Sequence, residues 1–104
     1  MNYEKILEAQ NKIIEAYKVI DIIEVWLGMK KIKIKLLEII KGNGFKYHYS
    51  NSHWYKGSDK AGPYISSNVG FNTKEEALSG AIRELTFFYN ESDEDAQWIE
   101  NDQF

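Results

Sequence analysis

The chain contains no cysteine, one proline, one arginine and no uncharged apolar stretch of membrane-spanning length. Without thiols there is no disulfide framework, no thiolate metal site and no cysteine nucleophile. Without about 18 consecutive apolar residues there is no transmembrane helix. Met1-Asn2-Tyr3-Glu4 lacks the basic region and apolar core of a secretion signal, so a cytoplasmic protein that does not engage membranes is expected. The sequence also lacks a nucleophile elbow, paired catalytic carboxylates and a dinucleotide fingerprint. These absences together point to a protein that is not an enzyme, with no catalytic residues, no cofactor and no bound metal.

Two fragments come near to a chemical motif. Gly57 and Gly62 have the glycine spacing of a phosphate-binding loop, but Pro63 and Tyr64 replace the Lys and Ser/Thr that should follow. A Walker-type loop is therefore rejected. His48 and His53 are the only histidines, and Asp59 is the nearest carboxylate in sequence. A turn between them need not bring them to one face, so hydrogen-bonded or solvated imidazoles are expected rather than a metal site.

What is present is a globular composition: 104 residues, 43% apolar and 14% aromatic. That length allows one domain, or a small domain with a helical arm. The net charge of -3 is unevenly spread: the last fourteen residues hold six acids and no base. Such an end suits basic partners and repels nucleic acid. The excess of Lys over a single Arg matches the codon bias of AT-rich genomes, such as low-GC bacteria and their phages.

The N-terminal third has a seven-residue apolar period. Ile6, Ile13, Ile20 and Leu27 recur at that spacing, with Ala9, Ala16 and Ile23 three residues after the first three. This a/d pattern predicts a long helix over 2–27 that is either a buried core face or a coiled-coil seam, with a homodimer as the favoured arrangement. Gly28 would end it. Residues 29–41 are ambiguous, since Lys31-Ile32-Lys33-Ile34-Lys35-Leu36 alternates like a strand while Ile32, Leu36, Ile39 and Ile40 share a helical face. The break in alternation at Leu36-Leu37 and the Lys41-Gly42 ending favour a short second helix.

Three strands are expected next. Phe45, Tyr47 and Tyr49 alternate with polar residues, His53–Lys56 follows a Ser50-Asn51-Ser52 turn, and Tyr64–Phe71 follows a polar loop. Thr73-Lys74-Glu75-Glu76 is a capping box, and Ala77, Leu78, Ala81, Ile82, Leu85 and Phe88 or Tyr89 form one stripe behind it. The fold class is therefore α+β: long N-terminal helix, short second helix, three-stranded antiparallel sheet, capped C-terminal helix and acidic tail. The corresponding division is 1–28 as a dimerisation helix, 29–90 as a small α+β domain and 91–104 as the tail.

Helix 29–41, three strands and helix 73–89 give an α-β-β-β-α order that resembles double-stranded RNA-binding domains. The resemblance implies topology alone, because Lys74-Glu75-Glu76 stands where those domains begin their second helix with basic residues, and its carboxylates repel phosphate.

Tyr47, Tyr49, Trp54 and Tyr55 crowd one small sheet beside Lys46 and Lys56, which suits an aromatic binding surface or a sheet covered on both faces. Asp93, Glu94 and Asp95, with Trp98 as an apolar anchor, form either a solvated end or a mimic of the phosphate backbone. Small acidic phage proteins that block host nucleases are similar in general character. The functional expectation is a stoichiometric binding protein, an anti-defence factor of a phage or mobile element, that inhibits a host nucleic-acid-directed or defence protein. The competing expectation is a binder of a small nucleotide-like ligand or of nucleic acid, in which Lys46, Lys56, Lys60 or Arg83 meets phosphate.

Overall fold

The structure is a computed structural model that describes residues 3–67 and 69–104. It is an α+β fold in which α1 (Tyr3–Glu8) precedes an antiparallel sheet of β1 (Ala16–Leu27), β2 (Lys30–Lys41) and β3 (Tyr47–Asn51), in the order β1-β2-β3. The next strand, β4 (His53–Lys56), belongs to a second sheet. After an irregular segment comes α2 (Lys74–Thr86), and β5 (Gln97–Glu100) returns to pair antiparallel with β4.

The long N-terminal helix is replaced by six residues of helix and a twelve-residue strand. Asn2, where the expected helix begins, lies outside the described residues. The second helix is replaced by another twelve-residue strand. The physical reason lies in residue type rather than spacing. Val19, Ile20, Ile22, Ile23 and Val25 are β-branched, and such side chains lose rotamer freedom in a helix but pack well on a pleated surface. The Lys-Ile alternation of 31–36 is a true period of two: Ile32, Ile34 and Leu36 are buried on one face. Gly28 therefore serves as a hairpin turn and not as a helix stop. Its φ of +60° is followed by a residue of negative φ, the φ pattern of a two-residue type II′ turn, and Leu27 pairs with Lys30 across it.

The hairpin register shifts twice, between Ala16 and Tyr17 and between Val19 and Asp21. Val19 faces Leu37 and Asp21 faces Leu36, so Ile20 is an extra residue, a β-bulge. Tyr17 and Val19 before the bulge then share the outer face with Ile22, Glu24 and Trp26 after it, while Ile23 and Val25 point inward. At about 3.4 Å per residue each strand runs roughly 40 Å, which accounts for most of the 52 Å long dimension.

The capped helix runs over residues 74–86, where the Glu76 amide donates to Thr73 Oγ1 at 3.1 Å. It lies on the inner face of the sheet. Ala77, Ala81 and Leu85 meet Ile32, Ile34 and Leu36, and Ile20, Ile23, Val25, Leu27, Tyr47, Tyr49 and Phe71 close the core around them. Gly80 allows the close approach, because a Cβ there would run into the Phe71 ring. The third expected strand, 64–71, is not present among its described residues beyond one bridge between Phe71 and Tyr47; Asn68 lies outside them.

The end of the chain is not a free acidic tail. β5 pairs with β4, Asn101 donates its amide to Ser52 O and its side chain to Asn51 O, and Lys35 Nζ reaches Phe104 O at 2.9 Å. Strand pairing also crosses both expected domain boundaries, β1 with β2 at 28/29 and β4 with β5 at 90/91. The chain order is α1-β1-β2-β3-β4-α2-β5, so four strands stand between the helices and the α-β-β-β-α order is not found.

Candidate interaction site

The densest polar arrangement centres on Glu84, on the buried side of α2 and only 5% exposed. Its carboxylate accepts from Asn51 Nδ2 at 3.1 Å and Trp54 Nε1 at 3.1 Å on one oxygen. On the other it meets Tyr49 OH at 2.8 Å, the Ser66 amide at 3.0 Å and Ser66 Oγ at 2.8 Å. Asn51 is itself buried and gives its other hydrogen to Ala81 O at 3.1 Å. A buried carboxylate is tolerated only when it is hydrogen-bonded in this way. Burial, then the hydrogen bond to Glu84 against an opposing contribution from Ser66, pushes the Tyr49 phenol above its ordinary value, so it stays a donor.

This network joins α2 and β3 to the irregular segment that follows β4. Ser66 is fixed by Glu84, and Tyr64 N donates to Tyr55 O at 3.0 Å. The segment thus pinned presents the Tyr64 ring to the end of α2. Tyr64 stacks on Phe87 with centroids 5.3 Å apart and meets Phe88 edge-on at 5.2 Å, while Phe87 and Phe88 touch at 4.8 Å. Phe87 is nevertheless 61% exposed and Phe88 41%, and Ile65, next to Tyr64, is exposed as well. Two cations border the cluster. Lys60 Nζ lies 4.8 Å from the Phe88 ring centre, a cation–π distance. Arg83 is exposed and makes no ion pair among the described residues. Beside it opens a cleft of about 450 Å³ walled by Tyr49, Tyr64, Phe71, Ser66 and Gly80, with Arg83 and Glu84 on its lining.

The loop that carries Lys60 is held from the C-terminal end. Asp93 accepts from the Ser58 amide and from Ser58 Oγ, both at 3.0 Å. Those hydrogen bonds, the backbone one first, hold the Asp93 carboxyl below its ordinary value.

The residues expected to bind are thereby separated. Tyr47 and Tyr49 face the core, and Tyr55 is buried with its hydroxyl donating to Asn90 O at 3.2 Å. Trp54 and Lys56 are half-buried, the former committed to Glu84. Trp98 packs edge-on against Tyr55 at 5.0 Å and lies 6.0 Å from Tyr89, so it anchors this chain's own fold. Asp93 is used internally, while Glu94 and Asp95 are exposed. Arg83 is the one expected residue that stands in the cluster. Of the expected dimer seam, Ile6, Ala9 and Ile13 are exposed and Ala16 is half-buried at the strand start, whereas Ile20, Ile23 and Leu27 pack on the core.

Sequence reasoning missed Glu84, Asn51, Ser66 and Phe87. One signal was available: Glu84 stands seven residues after Ala77 on the apolar side of α2, beside Leu85. An acid there calls for several donors. Neither histidine is near the cluster: His48 Nε2 lies 3.0 Å from Phe45 O, and His53 Nδ1 lies 2.8 Å from Ser52 Oγ. Among the described residues no group of three metal-ligating side chains comes together. No family model, no curated protein and no solved structure matches this chain.

Proposed function

We propose that this protein is a non-enzymatic stoichiometric binder that inhibits a host protein through the aromatic cluster at the end of α2. The observation that carries the reading is that buried Glu84 fixes Ser66 while Tyr64, Phe87 and Phe88 are presented together and partly exposed. Preorganised aromatics with an adjacent Arg are the residues that dominate protein-protein affinity. The acidic end is a weaker candidate for the contact, because Asp93 and Trp98 are used within the fold.

The test is site-specific photocrosslinking in host cells from position 87, from position 95 and from Lys74 as a control. A single host protein crosslinked from 87, and lost on Phe88→Ser, supports the reading. Crosslinking from 95 alone moves the contact to the acidic end and refutes it.

A second reading has its own support. Arg83 at the lip of an aromatic-walled cleft suits a small nucleotide-like anion, with the guanidinium on phosphate and Tyr64 or Phe71 against the base. Titration with nucleoside phosphates separates the two: binding lost on Arg83→Lys favours the small ligand, and no binding at low ionic strength removes it.

A further inference from the structure

β1 is an edge strand, and among the described residues nothing pairs along its far side. Such an edge presents a row of unpaired amide and carbonyl groups as a template for another strand. The outer face that continues from it is also open: Val19 is 48% exposed and Ile22 57%, with Tyr17 and Trp26 beside them.

We propose that β1 pairs antiparallel with β1 of a second copy, with Val19 opposite Ile22 and Tyr17 opposite Glu24 of that copy. The register follows from the bulge. Side chains directly opposite in a sheet must share a face, and a slip of one residue reverses every face. Because Ile20 is an extra residue, outward Tyr17 and Val19 differ in parity from outward Ile22 and Glu24. Setting Val19 against Ile22 places outward on outward, and it also sets Lys18 against Ile23 and Ile20 against Asp21, inward on inward. Moving two residues either way sets an outward residue against an inward one beside the bulge.

Charge supports the same register. Lys18 and Asp21 are exposed and form no ion pair among the described residues. In this pairing Lys18 lies diagonal to Asp21 of the second copy on one face, within reach of a long side chain, and two-fold symmetry makes the contact twice. On the outer face Val19 and Ile22 of both copies form one apolar cluster. Within β1 no like charges stand directly opposite each other.

Sedimentation equilibrium is expected to give twice the 12.2 kDa chain mass. Lys18→Glu is expected to weaken the dimer roughly tenfold, and Lys18→Glu with Asp21→Lys to restore it. Because the chain has no cysteine, the register can be read directly. Val19→Cys mixed with Ile22→Cys is expected to give a disulfide-linked dimer, while neither variant alone crosslinks to itself. A monomer at high micromolar concentration overturns the proposal. So does Ile22→Cys crosslinking to itself, or an unaltered dimer on Lys18→Glu.

Discussion

Replacing Glu84 tests whether its carboxylate organises the site. Glu84→Ala leaves three donors without an acceptor: Trp54 Nε1–H, the Ser66 amide and one hydrogen of Asn51. The Tyr49 and Ser66 hydroxyls retain each other at 2.7 Å, so they add little. A buried donor left unpaired costs about 1–3 kcal/mol. Half-buried Trp54 recovers part of its share from water, and the sum is about 3–5 kcal/mol. For a domain of this size, about 4 °C or more per kcal/mol gives a fall in Tm of at least about 12 °C. Glu84→Gln keeps one oxygen for Asn51 and Trp54 but turns an amide NH2 towards the Ser66 amide, which costs about 2 kcal/mol. Thermal and urea denaturation followed by circular dichroism read both values. If Glu84→Gln stays within about 0.5 kcal/mol of the parent, the carboxylate is not the organising group.

Other outcomes follow from the same contacts. Gly28→Ala forces a side chain into positive φ and towards Tyr89 OH at 2.8 Å, so it should destabilise by about 1–2 kcal/mol or more in urea unfolding. Thr73→Ala removes the acceptor for the Glu76 amide and should cost about 1 kcal/mol, read the same way. Burial, followed by the Lys30 charge, lowers the His53 pKa below its ordinary 6.5, so the folded state binds fewer protons than the unfolded one. Stability is then full above about 6.5 and is lost as the pH falls through the folded value. His53→Gln should flatten the urea midpoint between pH 7 and 5. Asp93, held low by Ser58, contributes stability that is full above the ordinary carboxyl value of 3.8 and is lost on acidification below it. Ser58→Ala should shift the Asp93 titration upward by NMR.

The parts legible in the sequence were those set by one local rule. The Thr73-Lys74-Glu75-Glu76 cap and the stripe behind it place α2, and the Tyr47/Tyr49 alternation places β3 within two residues. The first forty residues were misleading because two periods coexist. The seven-residue recurrence of Ile6, Ile13, Ile20 and Leu27 is real in the sequence, but only strand pairing across Gly28 gives Ile32, Ile34 and Leu36 a common buried face. Periodicity in one segment cannot register that second segment. The site was less legible for a related reason. Glu84 meets donors from positions 49, 51, 54 and 66, contacts that only the tertiary fold brings together. Likewise Trp98, in a stretch whose composition suggests a tail, acquires a place only through β5 pairing with β4.

Under the proposed function, the partner binds the aromatic end of α2 and the segment pinned by Glu84. Hydrogen exchange on the complex with the crosslinked host protein, compared with the free chain, tests it most directly. Added protection over 58–67 and 83–89, with 94–104 unchanged, is the expected result. Protection confined to 94–104 would contradict it and assign the contact to the acidic end.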